Sequence, residues 1–177
     1  MSITNKKSGF TLLELIVYTA IFSFVILALF QFLASILVSQ ARGGARDTVI
    51  SNTINAVNLI DYEIRHSEGV YNPTSEFGTT SGQLSLVTRN DLPPAEDEAY
   101  VDIYVNSSGK LCMKKEISGV RCIMSGDVTV TKLEFTQILK NGEPEGVRTS
   151  VEIEYTIPRE PRRESFELNS FSKPRSY

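Results

Sequence analysis

From Phe10 to Val38 the chain carries one charged residue, Glu14, and no Lys, Arg, Asp, Gly or Pro. A stretch this apolar on every side cannot be an amphipathic surface helix, because it has no polar face to turn to water. It belongs in lipid or inside a wholly apolar assembly. Residues 15–38 number 24, and a helix of that length rises about 36 Å, enough for a hydrocarbon core of about 30 Å. One membrane span is therefore expected near the N-terminus. A secretory signal peptide is excluded, since the apolar run is too long and no small-residue cleavage site follows it.

The rest of the 177 residues is different in kind. From about Ala41 onward the sequence is polar, rich in Thr, Ser, Val and Glu, and broken by Gly and Pro, which suits one β-rich domain. Lys6 and Lys7 precede the span, and the positive-inside tendency keeps that short end in the cytoplasm. The domain is then expected outside, with the chain crossing the cytoplasmic (inner) membrane once. The formal net charge is −3, and loss of residues 1–9 with their two lysines would take it to −5. An acidic chain does not suit non-specific nucleic-acid binding, which depends on cations meeting phosphates.

What precedes the span narrows the reading. Lys6-Lys7-Ser8-Gly9-Phe10-Thr11-Leu12-Leu13-Glu14 resembles the type III signal of the type IV pilin superfamily. The resemblance implies cleavage by a membrane aspartyl peptidase between Gly9 and Phe10, followed by N-methylation of the new terminus. Gly9 is then the residue before the cut, Phe10 the first mature residue and Glu14 the fifth. The residues make physical sense in these places. Gly9 can take conformations closed to other residues, as a peptide extended beside a protease must. Lys6 and Lys7 hold the leader on the cytoplasmic face. Cutting frees an amine on Phe10, and the resemblance implies that Glu14 attracts the amine of a neighbouring subunit in a filament. A carboxylate near a bilayer is expensive unless it has a partner or a task. The competing readings are that Glu14 only favours a helix N-terminus, or that residues 10–38 are an uncleaved signal anchor.

Past Val38, Ile50, Ile54, Val57, Ile60 or Asp61, and Ile64 recur at helical spacing, so the helix is expected to continue as an amphipathic segment over 39–68. Gly43-Gly44 is a soft point in it. Strands are expected at 83–89, 100–105, 110–115, 120–124, 128–139 and 147–157, from alternation such as Val128, Val130, Leu133, Phe135. Asn106–Gly109 and Asn141-Gly142 read as turns. The fold class expected is α+β: a long N-terminal helix packed on one antiparallel sheet, pilin-like. The expected organisation is a cleaved leader at 1–9, a membrane or filament-core helix at 10–38, the amphipathic continuation, a β-rich domain at 69–157 and an extended tail at 158–177.

The chain offers little for chemistry. His66 is the only histidine and has no recognisable nucleophile partner. With two cysteines beside it, a zinc site is poorly supported. Glu96-Asp97-Glu98 matches no calcium-loop spacing. Cys112 and Cys122 lie in a domain placed where disulfides persist, and a structural bridge is favoured over free thiols. The tail, with Arg159, Arg162 and Arg163, is a solvated extension or a docking segment. The expected function is a non-catalytic minor pilin or pseudopilin without cofactors, assembled into a type IV pilus or a type II secretion pseudopilus. Its implied partners are other pilins through the N-terminal helix, the prepilin peptidase and N-methyltransferase, and an inner-membrane platform driven by a cytoplasmic ATPase. The alternatives are a tip adhesin, a DNA-capturing pilin of a competence system, or a signal-anchored binding domain.

Overall fold

The computed structural model describes residues 11–90, 92–124, 127–156 and 163–175. The chain divides into two compact units between Gly43 and Gly44, the glycine pair singled out above. Helix α1 (Leu12–His66) contributes to both, and the units are described separately.

In the N-terminal unit the chain is helical from Leu12 onward. Thr11 starts it, its Oγ1 accepting the Glu14 N–H at 3.3 Å. This satisfies one of the backbone donors that a helix leaves open at its start.

The C-terminal unit packs the second part of α1 against two antiparallel sheets. The buried stripe is Val49, Thr53, Ala56, Val57, Ile60 and Ile64. Its first half is one residue off the expected Ile50 and Ile54; Ile54 is 42% exposed while Thr53 is fully covered. Thr53 can be buried because its hydroxyl donates to the Val49 carbonyl at 2.8 Å, leaving no orphan polar group. The helix stops at His66, where the Ser67 hydroxyl donates to the Ile64 carbonyl at 2.8 Å.

The first sheet is a meander of β1 (Gly69–Val70), β2 (Leu84–Thr88), β3 (Ala99–Val105), β4 (Leu111–Lys115) and β5 (Gly119–Cys122), in that spatial order. The second contains β6 (Val128–Lys140), β7 (Glu143–Thr156) and β8 (Arg163–Ser172), also in order. Alternation builds the core: Leu84 and Leu86, Val101 and Ile103, Val128, Leu133 and Phe135, Val151 and Ile153 all face inward and are essentially inaccessible.

Turn chemistry sets the hairpins. Asn106 Oδ1 accepts the N–H groups of Ser108 and Lys110 at 3.0 and 2.9 Å. Gly109 at φ +69° completes that turn, and a Cβ there would overlap the Thr129 methyl. The β6–β7 turn is only Asn141-Gly142, both at positive φ, with Lys140 opposite Glu143. This is the short hairpin that an Asn-Gly pair encodes.

Two expectations are corrected. There are two sheets rather than one. Residues 163–172, assigned to an extended tail, form β8 and pair with β7 along their whole length. Their alternation was faint because the inward row is Glu164, Phe166, Leu168, Ser170 and Ser172, with just two apolar members. Ser170 instead anchors polarly, its hydroxyl donating to Asp61 on α1.

Candidate functional site

Lys6, Lys7, Gly9 and Phe10 lie outside the described residues. The described part of the site begins at Thr11. Thr11 caps the helix, which places Glu14 in the first helical turn, where a carboxylate is favoured by the positive end of the helix dipole. One turn on, the Tyr18 hydroxyl donates to Glu14 Oε1 at 3.4 Å. That bond is long, and Glu14 remains partly exposed. Glu14 can therefore receive a cation from outside the chain without breaking a strong contact among the described residues.

The residues that follow define the surface on which this carboxylate sits. Leu12, Phe22, Phe24, Phe30, Phe32 and Leu37 are each more than 60% exposed, and none of the most apolar stretch of α1 is buried among the described residues. A monomer in water does not sustain an apolar face of this size. The helix is long and apolar enough to cross a membrane. Thr19 and Ser23 do not spoil it, since their hydroxyls return to the Ile16 and Thr19 carbonyls at 3.0 and 2.8 Å. The physical site is thus one carboxylate at the head of a bare apolar rod, suited to lipid or to neighbouring rods.

In the β-rich unit Cys112 and Cys122 are joined in a disulfide. They stand directly opposite each other on β4 and β5, with their Cα atoms 4.0 Å apart. All four residues of β5 are exposed, so the bridge holds a strand that burial does not. His66 stacks on Tyr62 with ring centroids 4.0 Å apart, and its Nδ1 lies 2.7 Å from the Tyr62 carbonyl oxygen. These are helix-end contacts. No group of three or more His, Cys, Asp or Glu side chains that could hold a metal ion occurs among the described residues.

One feature escaped sequence reasoning. A cleft of about 800 Å³ opens at the end of α1, lined by Tyr62, Glu63, His66, Tyr100, Lys115 and Glu116 among others. Glu63, 9% exposed in its side chain, meets Lys115 at 2.8 Å, and Glu116 accepts the Tyr100 N–H at 3.1 Å. Burial first, and then the negative charge of Glu98, push the Tyr100 hydroxyl pKa up. Two of the charged groups of this cleft, Glu63 and Lys115, are engaged with each other, and no nucleophile and base are paired in it among the described residues. Residues distant in sequence make it, so no local pattern announces it.

Against this geometry, a family model described as the prokaryotic N-terminal methylation motif matches residues 4–30. That motif is the processing signal of type IV pilins and pseudopilins, and here it heads a pilin-like α+β fold. It supports a type IV pilin-like, processed subunit rather than an enzyme, and implies prepilin peptidase and other pilins as the proteins that act on it and pack with it. The apolar helix fits a membrane-anchored, single-pass protein. Comparison with curated proteins and with solved structures returns no match for the chain.

Proposed function

We propose that the chain is a minor pilin or pseudopilin, inserted in the cytoplasmic membrane with its β-rich domain outside, cut between Gly9 and Phe10, N-methylated, and packed into a filament by residues 10–38. The observation that carries this is the bare apolar helix headed by Glu14, whose first part lies within the methylation motif at residues 4–30. In the membrane the helix is covered by lipid; in a filament the same surface is covered by neighbouring helices. Because lipid is as apolar as the side chains, burial alone gives little direction to that exchange. A charge pair does. The amine freed on Phe10 and the Glu14 carboxylate of an adjacent copy attract strongly in a low-dielectric setting, so each incoming helix is drawn to one axial position.

The lean towards a minor component rests on the lack of any proline before Pro73, since many major pilins carry one in the membrane half. The role is structural: the subunit seats or helps to start a filament and itself makes and breaks no bonds. The implied machinery beyond the peptidase is an inner-membrane platform with a cytoplasmic ATPase.

Replacing Glu14 with Ala tests the assembly step apart from processing. The variant is expected to be inserted and cut normally, because the Gly9-Phe10 junction is intact, but its recovery in sheared filament fractions should fall about tenfold or more, as loss of roughly 1.4 kcal/mol of pairing requires. Unchanged recovery would mean that Glu14 serves only its own helix.

A further inference from the structure

The three-stranded sheet treats its two edges differently. Along β6 the outer edge is covered: Gly78 N–H donates to the Phe135 carbonyl at 2.9 Å, Leu133 N–H to Thr80 at 2.9 Å, Gly82 N–H to Leu133 at 2.7 Å and Val130 N–H to Gly109 at 2.8 Å. β8 lies at the other edge. Its ten residues pair in unbroken register with β7, while no backbone group outside that pairing reaches Arg163–Ser172 among the described residues. Every second residue of β8 therefore turns its N–H and C=O outward.

Natural sheets blunt such edges with lysines, prolines, bulges or very short strands. β8 is long and regular, has neither Lys nor Pro, and carries charges at Arg163, Glu164 and Glu167. Its apolar row also ends unfinished. On β7, Val151 and Ile153 are fully buried, but their partners Leu168 and Phe166 are only partly so. One more strand with apolar side chains at two alternate positions would complete the cover. The charge nearest the centre of the edge, Glu167, is drawn back over the sheet, accepting from the Ser150 hydroxyl at 2.6 Å and pairing with Lys132 at 3.0 Å. Those two contacts, Ser150 first, hold its carboxyl below the ordinary carboxylate range.

We propose that β8 pairs antiparallel with β8 of a second copy of this chain, about a two-fold axis at Glu167, so that two three-stranded sheets join into one of six strands. The strand is its own best-matched partner in this register. Phe166 of each copy faces Leu168 of the other, Ser165 faces Asn169, and Arg163 faces Phe171, whose ring can receive a guanidinium. A slip of one residue would set the Phe166 and Leu168 row against the opposite face. Slips of two keep a single apolar pair on the axis, Phe166 with Phe166 or Leu168 with Leu168, and place Leu168 opposite Glu164 or Phe166 opposite Ser170. Only the Glu167-centred register joins apolar to apolar on both sides of the axis, and the two Glu167 side chains that meet there each already have a lysine. The pairing concerns residues 163–172 alone and stands whether or not Gly9-Phe10 is cut.

Cysteine cross-linking in the full-length chain, reconstituted in lipid vesicles, tests it. Ser165 and Asn169 are exposed, so Ser165→Cys and Asn169→Cys should leave the fold intact, and the only two native cysteines are bonded to each other. Opposed positions put Cβ atoms about 5 Å apart, whereas Ser165 of one copy lies four residues, about 14 Å along the strand, from Ser165 of the other. Copies tagged to differ in size and mixed under mild oxidation are expected to give a Ser165→Cys with Asn169→Cys heterodimer about tenfold above the homodimer of either variant. Yields no higher than those of Thr131→Cys, on the covered edge strand, would overturn the pairing. Equal yields in all three samples would also overturn it, since association through α1 alone brings these positions together at random.

Discussion

Phe135→Ala is expected to cost the β-rich unit about 3–5 kcal/mol, the range for removing a fully buried aromatic ring. Phe135 is the largest of the fully buried side chains and sits midway along β6. Its ring approaches the backbone on the covered edge of the sheet: a Cβ built on Gly82 would stand 3.2 Å from Phe135 Cδ2. Its carbonyl meanwhile accepts the Gly78 N–H. The backbone contacts pin the strand, so the structure cannot collapse into the space that the ring leaves, and both the lost transfer energy and the cavity count. Against a total of roughly 5–15 kcal/mol for a domain, the loss is large. Thermal unfolding of the full-length chain, followed through its β signal, should shift down by about 10–20 °C, at roughly 3–5 °C per kcal/mol for a unit of this size. Leu139→Ala on the same strand, at a residue 58% exposed, should shift it hardly at all. Equal effects at both positions would mean that the inward row of β6 is not the core.

Replacing Cys112 and Cys122 together by Ser should lower stability by about 2.5–3 kcal/mol, the chain-entropy value for a loop of this length. The residues are ten apart in sequence. β5 has no buried side chain and is the edge strand, paired in the sheet with β4, so the disulfide is the strongest constraint on it. Ser at both positions keeps the side chains small, and neither introduces a charge. The denaturation midpoint should fall, and amide exchange in β5 should accelerate more than in β3. A midpoint unchanged by the double replacement, or by reductant, would show that the bridge only decorates a strand held by its ladder.

The sequence was most legible where a single physical demand dominated. The apolar run from Phe10 to Val38 admits lipid or a bundle and little else, and the string from Lys6 to Glu14 told which kind of chain begins this way. Asn141-Gly142 specified its hairpin because few residues tolerate two positive φ values in succession. The inward rows of β2, β3, β6 and β7 were readable by alternation.

Legibility failed where the decisive partner was remote. Thr53 displaced Ile54 from the helix stripe because a local hydroxyl-to-carbonyl bond made a polar residue cheap to bury, which hydrophobicity alone does not register. β8 looked like a tail because Ser170 and Ser172 stand where an apolar row would have continued, and Asp61 on α1, which Ser170 engages, is over a hundred residues away. The split into two sheets follows from the contacts that residues 78–82 and Gly109 make with β6, and a polar loop gives no sign of them in its composition. The cleft at the end of α1 depends on Glu63 and Lys115 meeting across the fold.

The most direct measurement is the intact mass, with N-terminal fragmentation, of the chain recovered from its native membrane. A polypeptide that begins at Phe10 with a methyl group on its amine is the expected result, and it would place the chain among processed filament subunits. One that still begins at Met1, in cells whose prepilin peptidase is active, would contradict the account and leave a β-rich domain on a plain signal anchor.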